Sequence, residues 1–228
     1  MLPLLFIIAV VLALSMLPQM WIKRILARYG APRPDIKGTG GELARHLLDG
    51  MKLSHVKVEV TKQGDHYDPE AKAVRLMPQH FNGHSLAAVV IAAHEVGHAM
   101  QDATGFKPLE ARTKLAKQAQ KVEMIGAAVM LASPLVMLFT KAPPLVLVEL
   151  TAGIVILGYS VLMHITTLPV EFDASFNRAL PVLRDGGYLE KKDMPAARQL
   201  LRAAAFTYVA AAAMSLLSVG RWLRMLRL

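Results

Sequence analysis

The chain has 228 residues, no cysteine, 54 % hydrophobic residues and a formal charge of +9. That length suffices for one domain plus apolar segments. The missing cysteine excludes disulfides and thiolate zinc sites, so any metal must be held by His and carboxylate. The basic residues are dispersed, with few aromatics among them, which points away from nucleic acid and toward a lipid bilayer with anionic headgroups as partner.

Met1 to Ile22 has no charge before Lys23. Its start lacks Lys and Arg, and no small-x-small cleavage site follows, so residues 1–22 read as a retained transmembrane anchor rather than a signal peptide. Lys23, Arg24 and Arg28 behind it place the next block on the cytoplasmic side. In that block, Asp35 to Gly50 suggests a short helix entered through Gly38-Thr39-Gly40-Gly41. Val56 to Thr61 alternates like a strand, Gly64 to Pro69 punctuates, and Lys72 to Met77 alternates again. The two runs predict a small antiparallel sheet. Pro78, Asn82 and Gly83 break the chain before the next helix.

That helix carries His94-Glu95-Val96-Gly97-His98, an HExxH pattern. Residues four apart share a helix face, so the two imidazoles point the same way and can hold one metal ion. Glu95 follows the first ligand and can take a proton from a water beside the metal without occupying a coordination position. A surface helix that happens to carry two histidines is the bland alternative. The apolar run Leu86 to Ala93 counts against it, because buried His and Glu need partners and a zinc ion is an economical one. Beyond the motif, Leu109 to Val122 reads as a basic amphipathic helix.

Three more apolar stretches follow: Met124 to Thr140, Leu150 to Val170 and Ala203 to Gly220. A spanning helix needs about 20 residues, so the third of the four stretches is a good candidate like the first, and the other two are near the lower limit. The link Lys141-Ala142-Pro143-Pro144 predicts a helical hairpin that returns residues 164–202 to the side of the first block. A fourth span would leave Arg221, Arg224 and Arg227 outside, so the last helix is expected to be interfacial, re-entrant or packed on the bundle.

Two His ligands leave a catalytic zinc site incomplete. The best third ligand is Glu171, the first carboxylate after the hairpin return, with Asp173 and Asp102 behind it. Glu171 could instead be an interfacial carboxylate paired with Arg178.

The runs GDHYDPEAKAVRLMP, NGHSLAAVVIAAHEVGHAMQD and LPVEFDASFNRAL resemble the bacterial neutral zinc metallopeptidases of the YugP type. These are membrane-embedded and similar in layout to HtpX-like and prenyl-protein-type gluzincin proteases. The resemblance spans roughly residues 30–200, with three blocks agreeing in order. It implies that His94 and His98 bind zinc, Glu95 is the base and Glu171 completes the site. It also implies that the segment around His66-Tyr67 is an edge strand that pairs with an extended substrate. HtpX-like proteases carry an Asp four residues after the third ligand, which orients a metal-bound His. Here that position is Ser175, and Asp173 is the candidate for the supporting role.

The expected fold is therefore mainly α with a small antiparallel sheet, a membrane-embedded helical bundle carrying a gluzincin-like zinc peptidase domain. Its expected parts are an anchor (1–22), a cytoplasmic peptidase core (23–123), a transmembrane hairpin (124–163), a third-ligand segment (164–202) and a C-terminal membrane or interfacial helix (203–228). The expected protein is a zinc endopeptidase of the bacterial inner membrane, multi-pass, with one zinc per chain and its site on the cytoplasmic side, acting on membrane or membrane-proximal proteins. An oxyanion donor is needed, and His66, Tyr67 and Arg178 are the candidates. His46, His55, His80, His84 and His164 read as surface or interfacial residues. Two other functions compete. A site-2-type intramembrane protease would carry HExxH inside a span, but Ser85 to Ala93 is too short for one. A non-catalytic scaffold with structural zinc would want four protein ligands and would give Glu95 no task.

Overall fold

The computed structural model describes residues 2–140 and 144–225. Among the described residues eight α-helices follow in order: α1 (Leu2–Tyr29), α2 (Gly40–Gly50), α3 (Pro78–Phe81), α4 (Leu86–Ala103), α5 (Lys107–Thr140), α6 (Pro144–Phe172), α7 (Leu180–Asp185) and α8 (Met194–Met225). Three strands lie between α2 and α3: β1 (Lys57–Val60), β2 (His66–Asp68) and β3 (Ala73–Leu76). A π-helical segment, Asp173–Ala179, joins α6 to α7 without a break in the helical path.

The motif helix α4 lies at the centre. Ser85 caps it, its hydroxyl accepting from the Ala88 N–H at 3.1 Å and satisfying one of the orphan donors of the first turn. Its buried residues lie on every side, from Leu86 through Val96 to Gln101, so it is a core helix rather than a one-faced surface helix. Helix α2 packs on it after a capping box at Thr39. The Thr39 hydroxyl accepts from Glu42 N–H, and Thr39 N–H donates to the Glu42 carboxylate at 2.8 Å. Ala44, Leu47 and Leu48 supply the buried face of α2, and Leu76, Leu86 and Leu183 join them in the core. Arg33 ties the linker behind α1 to the start of α8 through Asp193, at 2.7 Å.

The sheet is mixed, not antiparallel. Its order is β1-β3-β2, with β1 parallel to β3 and β2 antiparallel to β3. The sheet read from alternation lacked β2, because Gly64 to Pro69 has the composition of a turn; only the resemblance marked a strand around His66-Tyr67. With a third strand in that stretch the chain reverses twice, and the two alternating runs must then point the same way.

The membrane-embedded bundle is also corrected. Among the described residues no helix is long and apolar enough to cross a membrane. The apolar runs do not stand alone as helices. Helix α1 runs on through Lys23, Arg24 and Arg28, α5 begins with the charged turns from Lys107, α6 continues to Glu171, and α8 opens with Arg198 and Arg202. None of these helices breaks at residue 22, 123, 163 or 202. Helices α5 and α6 pack against each other, as do α6 and α8. Of the expected hairpin turn, Lys141, Ala142 and Pro143 lie outside the described residues, as does Arg227 of the tail.

Candidate metal centre

One turn of α4 brings the His94 and His98 rings together edge to face, with centroids 4.7 Å apart. Glu171 arrives from the last turn of α6. Its Oε2 lies 3.3 Å from His94 Nε2 and 3.7 Å from His98 Nε2. The three ligating atoms lie within 4.8 Å of one another, the one such His and carboxylate group among the described residues. Two imidazoles and one carboxylate fit a catalytic zinc. The far sides of the rings fit it too. His98 Nδ1 is 2.9 Å from the Gln101 side-chain oxygen, which accepts only from an N–H and so leaves the Nε2 lone pair aimed at the site. His94 Nδ1 lies 3.2 Å from Ser175 Oγ.

Charge follows the same pattern. Burial would raise the Glu171 carboxyl, but the hydrogen-bonding imidazoles of His94 and His98 outweigh it and hold the group well below the usual carboxylate range. Glu95, 6 % exposed, is different: burial pushes its carboxyl up to about 7, only partly opposed by His94.

The π-helical segment is the scaffold of this geometry. It lies so close to α4 that a Cβ on Gly97 would sit 2.8 Å from the Ala174 carbonyl oxygen. Gly97 thus makes room for neighbouring backbone. Gly97→Ala is expected to push this segment away from α4, at a cost of about 1–3 kcal/mol in stability, with weaker zinc retention. Thermal melts and metal analysis of the variant check this.

The other predicted residues divide. Ser175 stands beside His94 where HtpX-like proteases carry Asp. Asp173 acts at one remove: Gln101 Nε2 donates to it at 2.8 Å and also to the Val170 carbonyl, so Asp173 supports His98 through Gln101. Arg178 donates to Asp173 at 2.7 Å and lies over the Phe106 ring. The Tyr67 hydroxyl donates to Asp102, which also pairs with Lys72, and Asp102 is not one of the three metal donors. His66 Nδ1 lies 2.9 Å from the Gly64 carbonyl oxygen, on β2, which is an edge strand as the resemblance implied. His80 is buried rather than superficial, 2.7 Å from Asp65.

Three residues escaped the sequence reading. Gln101 carries no motif of its own, although it shares a helix face with His98 three residues before it. Arg112, on α5, places Nη1 3.7 Å from Glu171 Oε1. Tyr208, on α8, is held protonated by burial and by the nearby charge of Glu171. Neither of the last two has a local motif to mark it. A cleft of about 410 Å³ opens beside His98, between Tyr67 to Glu70 on one wall and Leu109, Arg112 and Lys117 of α5 on the other.

Residues 4–227 match the family described as "Putative neutral zinc metallopeptidase". A protein of Bacillus subtilis (strain 168) named "Putative membrane protease YugP" is 33 % identical over 219 residues, covering 95 % of this chain and 93 % of the relative. No solved structure matches the chain. The family match runs nearly end to end and meets a three-donor group suited to its metal, so the chain belongs to the neutral zinc metallopeptidase family and zinc is its cofactor.

Proposed function

We propose that the protein is a zinc-dependent endopeptidase in which His94, His98 and Glu171 hold the metal and Glu95 is the general base. The observation that carries the reading is a buried carboxylate, Glu95, next to a three-donor group that borders an open cleft. A structural zinc would call for four protein ligands, and three leave a position for chemistry. Bound zinc supplies a Lewis acid that polarises the scissile carbonyl and acidifies water. Glu95 takes the proton from the attacking water and hands it to the leaving amine. A carboxyl with its pKa near neutrality suits both transfers.

A polypeptide substrate is favoured by the length of the cleft. Its α5 wall runs from Leu109 to Gln120, roughly 16 Å at 1.5 Å per residue, which matches about five residues of extended chain. The edge strand β2 offers main-chain pairing along the opposite wall. Association with a membrane, and substrates at or near it, are supported by the name of the Bacillus relative and by large apolar residues exposed on α1, α6 and α8, among them Met20, Leu162 and Phe206.

The zinc-loaded protein is expected to cleave casein internally, to lose this activity in a chelator and to regain it on zinc addition. Mass spectrometry of the fragments checks both activity and position of cleavage. A fully zinc-loaded protein inert toward casein and peptide libraries would favour the scaffold function.

A further inference from the structure

We infer that Arg112 is a catalytic residue of this peptidase, its guanidinium donating to the carbonyl oxygen that gains negative charge as the scissile carbon becomes tetrahedral. This rests on the peptidase reading above. The first observation is position. His94 and His98 approach Oε2 of Glu171, and Arg112 approaches the other oxygen, Oε1, at 3.7 Å. The guanidinium therefore lies one carboxylate's width from the metal group.

The second observation is unused donor capacity. The Arg112 side chain is 31 % exposed, so most of it is out of water. Its contact with Glu171 is too long for a hydrogen bond, and among the described residues no other side chain or carbonyl accepts from it. A guanidinium has five N–H donors in a rigid fork, and those of Arg112 are not sealed in the core but reachable from outside. A residue serving only to neutralise Glu171 would close to a paired geometry. Arg112 instead lines the cleft that contains His98, with its donors open to whatever enters.

The third observation is that each donor suggested by sequence already has a partner of its own: the Tyr67 hydroxyl donates to Asp102, Arg178 Nε donates to Asp173, and His66 Nδ1 lies beside the Gly64 carbonyl.

The step balances. Water oxygen bonds to the carbonyl carbon, its proton passes to Glu95, and the C=O π pair moves to the oxygen, where Arg112 meets the new charge. The pair then returns, the C–N bond breaks, and the proton on Glu95 goes to the amine. Donors aimed at an oxyanion act mainly on kcat.

The test uses the full zinc-loaded chain and an internally quenched peptide built on a casein cleavage site. Arg112→Ala is expected to lower kcat by about 10²–10³-fold, with KM and zinc affinity within about threefold. Affinity for a phosphinic analogue of the same peptide, a stable tetrahedral anion, should fall by about 100-fold. Arg112→Lys keeps a charge beside Glu171 and should recover only part of kcat; it carries the test if the Ala variant does not fold. Zinc affinity falling in step with activity would overturn the inference, since Arg112 would then act through Glu171. So would an unchanged kcat with normal zinc content. A zinc-loaded parent protein that neither cleaves the peptide nor binds the phosphinic analogue would overturn the peptidase reading itself.

Discussion

Replacing Glu95 with Gln is expected to abolish peptide hydrolysis while zinc content and melting temperature stay near those of the parent protein. Glu95 follows His94 on a helix whose other ligand is His98, so its side chain stands next to the metal group without joining it. The amide keeps the size of the carboxyl and fills the same buried space, which protects the fold. It loses the proton acceptor, and removing a general base typically costs about 10²–10⁴ in rate. Turnover of the quenched peptide and metal analysis of the same preparation decide the matter. Retained hydrolysis would remove Glu95 from the mechanism, and collapse of zinc content would make it a ligand.

Glu171→Ala is expected to weaken zinc binding by more than the roughly 10- to 100-fold typical of losing a supporting hydrogen bond, with activity lost in parallel. The reason is that α4 can offer two donors at i and i+4 but not a third in the same arc, so the set must be closed from another element. Glu171 Oε2 already lies within 3.7 Å of both imidazole nitrogens, and the imidazoles keep the buried carboxylate ionised. Asp102→Ala should leave zinc affinity within about threefold of the parent, because Asp102 serves Tyr67 and Lys72. Competition with a chromogenic chelator measures both variants. Parent-like affinity in Glu171→Ala would sink the three-donor set.

The sequence was most informative where chemistry depends on helical spacing. His94 and His98 fall four apart in an apolar run, and that alone placed two donors on one face of a buried helix. The helix entry through Gly38-Thr39-Gly40-Gly41 and the break at Pro78, Asn82 and Gly83 were legible for a similar reason, since helix starts and stops are local arrangements. Strand β2 was legible only through the family resemblance, because three residues between Gly64 and Pro69 carry no alternation to count, and leaving it out of the sheet reversed the relation of β1 to β3. The four apolar stretches misled for another reason. Hydropathy averages a run of residues but does not see that the run continues a helix into a charged end.

The sequence by itself determined the metal class and the pair of imidazoles, and it marked Glu95 as the proposed base, since absent cysteine and one five-residue pattern suffice for these. It also singled out Glu171, though only as the leading carboxylate among three. The tertiary structure decided the rest. The π-helical segment docks on Gly97, and through that one close approach Glu171, Ser175 and Asp173 reach His94, His98 and Gln101 across about 70 to 80 residues of chain. Arg112 and Tyr208 come to the same place from two further helices with no pattern to announce them. Which donors remain free after packing is a property of the assembled core rather than of any segment.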